Sequence, residues 1–203
     1  MEQAMTTERS RAQRLAVLIS GSGTTLRNLL QWQTAGKLAA QIVLVGSSSA
    51  DAAGLQYAAA AGIPCFVVDH RTVRDEVEFS RQIFTRCREL TVDYVVLGGF
   101  LRKLRIPADF ERRVVNIHPS LIPAFAGKGF YGRRVHEAVL RQGCKVTGCT
   151  VHFVDDEFDH GPIIDQAAVR VQDSDTPETL AARVFAAECE LYPAVINRLA
   201  GTE

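Results

Sequence analysis

Asn116 and His118 are the side chains of this chain whose types and spacing best suit chemistry. They stand two residues apart at the end of the apolar run 114–117, so an extended backbone turns both to one face. Pro119 follows, disfavouring helix at His118 and unable to extend a central ladder, so the strand should stop there and open into a loop. Asparagine is depleted in strands and a buried amide needs partners, so Asn116 between Val115 and Ile117 calls for a reason. One reason is structural: Asn116 ties down a neighbouring loop and His118 caps carbonyls before Pro119. The other is chemical, because the segment 155–162 offers a carboxylate, Asp159, whose direction Gly161 and Pro162 could fix. An imidazolium and an amide N–H aimed at a developing oxyanion, with a carboxylate favouring the cationic ring, would serve acyl transfer without a covalent intermediate. Asp155, Asp156 and Glu157 otherwise read as a solvated acidic turn, and His70, His136, His152 and His160 as surface or packing histidines.

A second candidate is Gly21-Ser22-Gly23, which lies between an apolar run and a helical stripe and is followed by Thr24 and Thr25. Two glycines let the backbone turn tightly and aim free amides, at the positive end of a helix dipole, toward an anion. Leu26 stands where a dinucleotide fingerprint wants its third glycine, and no Gly-Lys-Ser/Thr follows, so a single phosphate fits better than a pyrophosphate. A tight turn without a ligand is the plainer alternative.

The elements that must carry these residues alternate. Apolar runs at 15–19, 42–45, 65–68, 94–97 and 114–117 are separated by Ala-rich or charged segments near 52–62 and 74–90, which predicts parallel strands with crossover helices. From 147 the pattern changes: strands at 147–154 and 163–171 lie too close for a crossover and predict an antiparallel hairpin. Thr176-Pro177 then gives an N-cap with proline at the first helical position, and Leu180, Val184, Ala187 and Leu191 continue a stripe, open to a kink at Pro193. Residues 14–203 are expected to form one domain after a disordered tail, 1–13.

With 203 residues and 47% hydrophobic content, the chain can bury a sizeable core. Lys plus Arg equals Asp plus Glu at 23 each, so no global field recruits nucleic acid or a membrane surface, and a small-molecule partner is expected. No run is long enough for a signal or membrane segment, which predicts a cytoplasmic protein. The five cysteines are odd in number and lack CxxC spacing, and only Cys144 and Cys149 lie close, so reduced thiols and no metal are expected.

The stretches Leu18-Ile19-Ser20-Gly21-Ser22-Gly23, Gly98-Gly99-Phe100-Leu101-Arg102, Asn116-Ile117-His118-Pro119-Ser120-Leu121-Ile122-Pro123 and Phe158-Asp159-His160-Gly161-Pro162, in this order and spacing, resemble the phosphoribosylglycinamide formyltransferases. The resemblance runs from about 14 to 199. It implies an α/β, Rossmann-like formyltransferase fold: a mostly parallel sheet, an antiparallel C-terminal hairpin and a long C-terminal helix. It further implies 10-formyltetrahydrofolate as formyl donor and co-substrate, glycinamide ribonucleotide as acceptor, a place in de novo purine biosynthesis, no metal, and a monomer or homodimer. Carried over by position, Asn116, His118 and Asp159 match the family's catalytic set. Gly21, Ser22, Gly23, Thr24 and Thr25 would hold the acceptor's phosphate, and Glu188 matches a helix residue that contacts the acceptor. Arg74, Leu101, Arg102 and Leu104, with Val154, Asp155, Asp156, Glu157 and Phe158, fall where the family binds the folate.

The pattern also departs from the family. Thr25 replaces a common Asn, Phe185 stands where a Lys or Gln often reaches the phosphate, and Lys128-Gly129-Phe130-Tyr131-Gly132 replaces a Gly-Leu-His-Thr-His stretch. Its glycines suit a mobile loop over the acceptor. The resemblance also admits a cis Ile122–Pro123 bond. Alternatives are a methionyl-tRNA formyltransferase-like enzyme, which adds a tRNA-binding domain, a formyltetrahydrofolate hydrolase, which typically has His-His-Ser at 118–120, and a non-catalytic phosphoribonucleotide binder.

Overall fold

The run 15–19 is apolar at every position because both of its faces are covered. Leu15, Val17 and Ile19 enter one core and Ala16 and Leu18 the other, as alternate residues of a strand must. A continuous hydrophobic run of this kind marks a parallel strand between two helical layers. The computed structural model describes residues 11–201. Its strands are β1 (Gln13–Ile19), β2 (Ala40–Ser47), β3 (Cys65–Val67), β4 (Tyr94–Leu97), β5 (Val114–His118), β6 (Val146–Phe153) and β7 (Ile163–Arg170). The helices are α1 (Thr24–Thr34), α2 (Leu55–Ala60), α3 (Glu76–Glu89), α4 (Arg133–Arg141) and α5 (Pro177–Leu199), with a short 3-10 turn at Ala108–Phe110.

All seven strands form one sheet in the order β3-β2-β1-β4-β5-β6-β7. β1 to β5 pair in parallel, whereas β6 runs antiparallel to β5 and β7 antiparallel to β6. The α/β alternation, the C-terminal hairpin and the long last helix are those expected from the sequence. Among the described residues, no helix is long and apolar enough to cross a membrane.

The disordered tail expected over 1–13 falls mostly outside the described residues. Gln13, however, already belongs to β1, and the guanidinium of Arg11 donates to Asp93 at 2.9 Å.

α5 begins as its sequence dictates. The Thr176 hydroxyl accepts from the Thr179 amide, the Thr179 hydroxyl accepts from the Thr176 amide, and Pro177 occupies the first turn. The helix continues through Pro193, which has no N–H to give the carbonyl four residues back. That carbonyl, of Cys189, instead accepts from Asn28 Nδ2 on α1 at 2.9 Å. Asn28→Ala should therefore lower the unfolding free energy by about 1–2 kcal/mol in urea titrations, since a part-buried carbonyl loses its donor. An unchanged midpoint would show that water replaces the amide freely. Further along, the buried Tyr192 hydroxyl shares its proton between the Leu97 and Val115 carbonyls at 3.1 and 2.9 Å, fastening α5 to β4 and β5.

Candidate active site

Strand order reverses at the β1–β4 boundary, where the loops leaving adjacent carboxyl ends diverge and open a crevice. The loop after β1 turns on Gly23, whose φ of 69° suits glycine and whose Cα side faces Gly54. A Cβ at Gly23 would lie 2.6 Å from the Gly54 Cα, so the two glycines are packed backbone to backbone. No side chain caps α1, which leaves its first-turn amides facing outward for another acceptor. The Ser20 hydroxyl accepts from the Leu101 amide at 2.9 Å and so joins the loops after β1 and β4.

β5, next to β4, carries Asn116 and His118 into this crevice. Because β6 pairs antiparallel to β5, Asn116 lies directly opposite His152 and shares its face. His152 Nδ1 faces the Phe153 carbonyl at 2.8 Å, which can only accept, so Nδ1 carries the proton and Nε2 is free to accept. Asn116 Nδ2 donates to that Nε2 at 3.2 Å. Burial holds the His152 pKa below the ordinary histidine value, which keeps the ring neutral and this direction fixed.

Asp159, with φ of 53°, sits in the β6–β7 connection. Its Oδ1 accepts from Asn116 Nδ2 at 3.4 Å, and its Oδ2 accepts from the Gly127 amide at 3.0 Å. The same Oδ2 lies 3.4 Å from His118 Nδ1, while His118 Nε2 is 2.8 Å from the Phe125 carbonyl. The buried His118 ring thus donates from Nε2 to the Phe125 carbonyl and turns Nδ1 toward the Asp159 carboxylate.

These residues wall a cavity of about 760 Å3, whose lining includes Asn116, His118, Asp159, Thr24, Thr25 and Glu188. Leu101, Arg102 and Phe158 line it as well. Of the glycine loop, Gly21, Ser22 and Gly23 shape the turn and do not line the cavity. A smaller recess of about 60 Å3 shares Asn116 and Asp159 and is lined by Arg102, Leu104, Val154, Asp155, Glu157 and Phe158. Arg74 and Asp156 line neither; the Asp156 carboxylate lies 4.0 Å from Arg105 instead. The Ile122–Pro123 bond is cis.

Three of the histidines read from sequence as surface or packing residues lie beside the site: His136 and His152 are buried, as a packing role requires, and His70 touches Arg102. His152 orients Asn116. His70 accepts from Arg102 Nη2 at 2.7 Å, its own Nδ1 proton being held by the Ser48 carbonyl at 2.7 Å. His136, buried on α4, lines the main cavity, and burial lowers its pKa. Only His160 matches the surface reading, exposed beside Asp155 at 2.8 Å. The departures also lie in the cavity: Phe185 lines it, as do Lys128, Gly129, Phe130, Tyr131 and Gly132.

Burial pushes the Glu188 carboxyl from its ordinary 4.5 up to about 7. A carboxyl with a raised folded pKa binds its proton more tightly in the native state, so its ionisation opposes folding. The stability difference between the parent and Glu188→Gln should therefore move against the parent as pH rises from 4.5 to about 7, and level off above. Denaturant titrations at several pH values measure this; parallel pH curves for the two proteins would mean the carboxyl titrates normally.

The chain matches the family model described as "Formyl transferase" over residues 13–196. It is 39% identical over 193 residues to a chloroplastic phosphoribosylglycinamide formyltransferase of Arabidopsis thaliana, covering 93% of this chain and 66% of that one. It is 43% identical over 189 residues to the trifunctional purine biosynthetic protein adenosine-3 of Gallus gallus, covering 92% of this chain and 18% of the relative. Among solved structures, a glycinamide ribonucleotide transformylase 1 from Symbiobacterium toebii superposes with a TM-score of 0.87 at 40% identity, over 94% of this chain and 88% of that one. The chain thus spans two thirds or less of these two sequence relatives while matching the solved structure almost end to end. A crevice at the strand-order reversal, walled by an amide, an imidazole and a carboxylate, and a match from the first strand to the last helix make the chain a member of the formyl transferase family.

Proposed function

We propose that the protein transfers the formyl group of 10-formyltetrahydrofolate to the amine of glycinamide ribonucleotide, a step of purine biosynthesis. The observation that carries this reading is the convergence of Asn116, His118 and Asp159 on one wall of a cavity large enough for two substrates. The acceptor's amine attacks the formyl carbon, forming the new C–N bond as the carbonyl pair moves onto oxygen. His118, as an imidazolium beside Asp159, lends its charge to that oxyanion. Asn116 supplies an N–H, since its contact to Asp159 at 3.4 Å is long and readily exchanged for a stronger acceptor. Asp159, its Oδ2 3.4 Å from His118 Nδ1, complements the imidazolium's charge and takes the amine's proton through water. When the oxyanion collapses and the bond to the folate nitrogen breaks, that nitrogen receives a proton, which balances the transfer.

The glycine-loop end, with Thr24 and Thr25 and the uncapped start of α1, is assigned to the acceptor's phosphate, and Glu188 to the acceptor beside it. Gly21, Ser22 and Gly23 give this end its shape. The folate is assigned to the side of Leu101, Arg102, Leu104, Val154, Asp155, Glu157 and Phe158; Arg74 and Asp156 are kept in that assignment by the family resemblance alone. The balanced charge of 23 against 23 favours small-molecule substrates over nucleic acid, and the reaction is assigned to the cytoplasm. The test is an assay with both substrates: tetrahydrofolate should be released only when the amine acceptor is present. Release without acceptor would make the protein a hydrolase, and no release under either condition would make it a binder.

A further inference from the structure

Gln166 lies on the edge strand β7, outside the lining of either cavity, and its side chain has no acid–base chemistry of its own. We propose that Gln166 is a positioning residue for formyl transfer, acting through Thr150 on the loop that fixes the His118 ring. The inference rests on the catalytic reading of His118.

Strand register supplies the first observation. His118 on β5 pairs with Thr150 on β6, and Thr150 pairs with Gln166 on β7, so the three form one cross-strand row on a single face. The second is what that row holds. Gln166 Nε2 donates to Thr150 Oγ1 at 2.9 Å and to the Ile122 carbonyl at 3.1 Å. Thr150 Oγ1 accepts from the Ile122 amide at 3.0 Å and donates to the Ser120 carbonyl at 2.7 Å. The fully buried hydroxyl thereby uses one donor and two lone pairs, its whole capacity. Ser120 in turn donates from Oγ to the Ala124 carbonyl at 2.6 Å.

The segment 120–124 is therefore stitched to the floor of the sheet, and the residues just beyond it support the catalytic groups. The Phe125 carbonyl meets His118 Nε2, and the Gly127 amide meets Asp159 Oδ2. Gln166 is itself exposed, but the groups it satisfies are not: without its amide, the carbonyl of the buried Ile122 and one lone pair of the buried Thr150 hydroxyl lose their partners, and the partly satisfied network relaxes. A shift of the Phe125 carbonyl would then tilt the imidazole, while the glycine-loop and folate-side walls, on other elements, keep their places.

The full-length protein is compared with Gln166→Leu, Thr150→Val, Thr150→Ser and His118→Ala, each assayed for kcat, for KM of both substrates and for thermal midpoint. Gln166→Leu and Thr150→Val should lower kcat about tenfold to a hundredfold, as displaced catalytic groups do, with both KM values within about twofold. Thr150→Ser, which keeps the hydroxyl, should retain most of the turnover. If Gln166→Leu turns over like the parent, whatever its thermal midpoint, the residue is structural and the inference fails. Should Gln166→Leu not fold, the contrast between Thr150→Val and Thr150→Ser decides: equal kcat values overturn the proposal. His118→Ala separates the two levels, because full turnover in that variant removes the catalytic reading itself, whereas its loss beside an active Gln166→Leu removes only the positioning role.

Discussion

His118→Ala, and separately Asp159→Asn, should lower kcat for formyl transfer about a hundredfold or more while leaving acceptor affinity within about twofold. The reason is the pairing at 3.4 Å between His118 Nδ1 and Asp159 Oδ2, backed by the Phe125 carbonyl on the other nitrogen. Charge develops on the formyl oxygen only as the amine attacks, so a cationic ring held in place stabilises the transition state far more than the bound substrates. Asp159→Asn keeps the shape of the site but removes the negative charge that faces His118 Nδ1. Calorimetric titration with the acceptor and steady-state kinetics on the same preparations separate binding from turnover. Comparable losses in affinity and in rate would mean that these side chains build the acceptor site and take no part in the chemistry.

Gly161→Ala should be nearly as damaging, though residue 161 has no reactive group. A Cβ there would be driven into the Phe153 carbonyl oxygen, well inside contact distance. That oxygen also accepts the His152 Nδ1 proton, and the Phe153 amide donates to the Pro162 carbonyl at 2.9 Å. One methyl group would therefore push the β6–β7 connection outward, carrying Asp159 away from His118 and loosening the His152 ring that orients Asn116. Forced overpacking of this sort costs about 1–3 kcal/mol of stability. The expected result is a folded protein with a lowered thermal midpoint and turnover reduced about tenfold or more. Parent-like turnover in Gly161→Ala would show that the loop accommodates the methyl without moving its carboxylate.

The meeting of Asn116, His118 and Asp159 was legible where chemistry and chain order coincide. Pro119 ended β5, the paired apolar runs marked the hairpin, and Gly161-Pro162 marked Asp159 as the directed carboxylate among four acidic residues. His152 was not legible, because its role depends on β6 pairing back onto β5 with Asn116 opposite, a register set by tertiary packing across an intervening helix. His136 was hidden for a different reason. Its neighbours Arg133, Arg134 and Glu137 suggest a solvated helix, while the buried Val135, Ala138 and Val139 show which side of α4 faces inward. Arg74 and Asp156, marked by resemblance alone, line neither recess, since position in a motif does not fix which way a side chain turns; the Asp156 carboxylate lies toward Arg105.

The bond from Asn28 to the Cys189 carbonyl joins two pieces that grip one molecule at different points in the proposed reaction. α1 presents the amides that would meet the phosphate, and Glu188 precedes the carbonyl that Asn28 holds. The carbonyl that Pro193 leaves unpaired thus becomes a socket for the Asn28 amide, so the anion end and the carboxyl end of the acceptor's berth are fastened to each other directly.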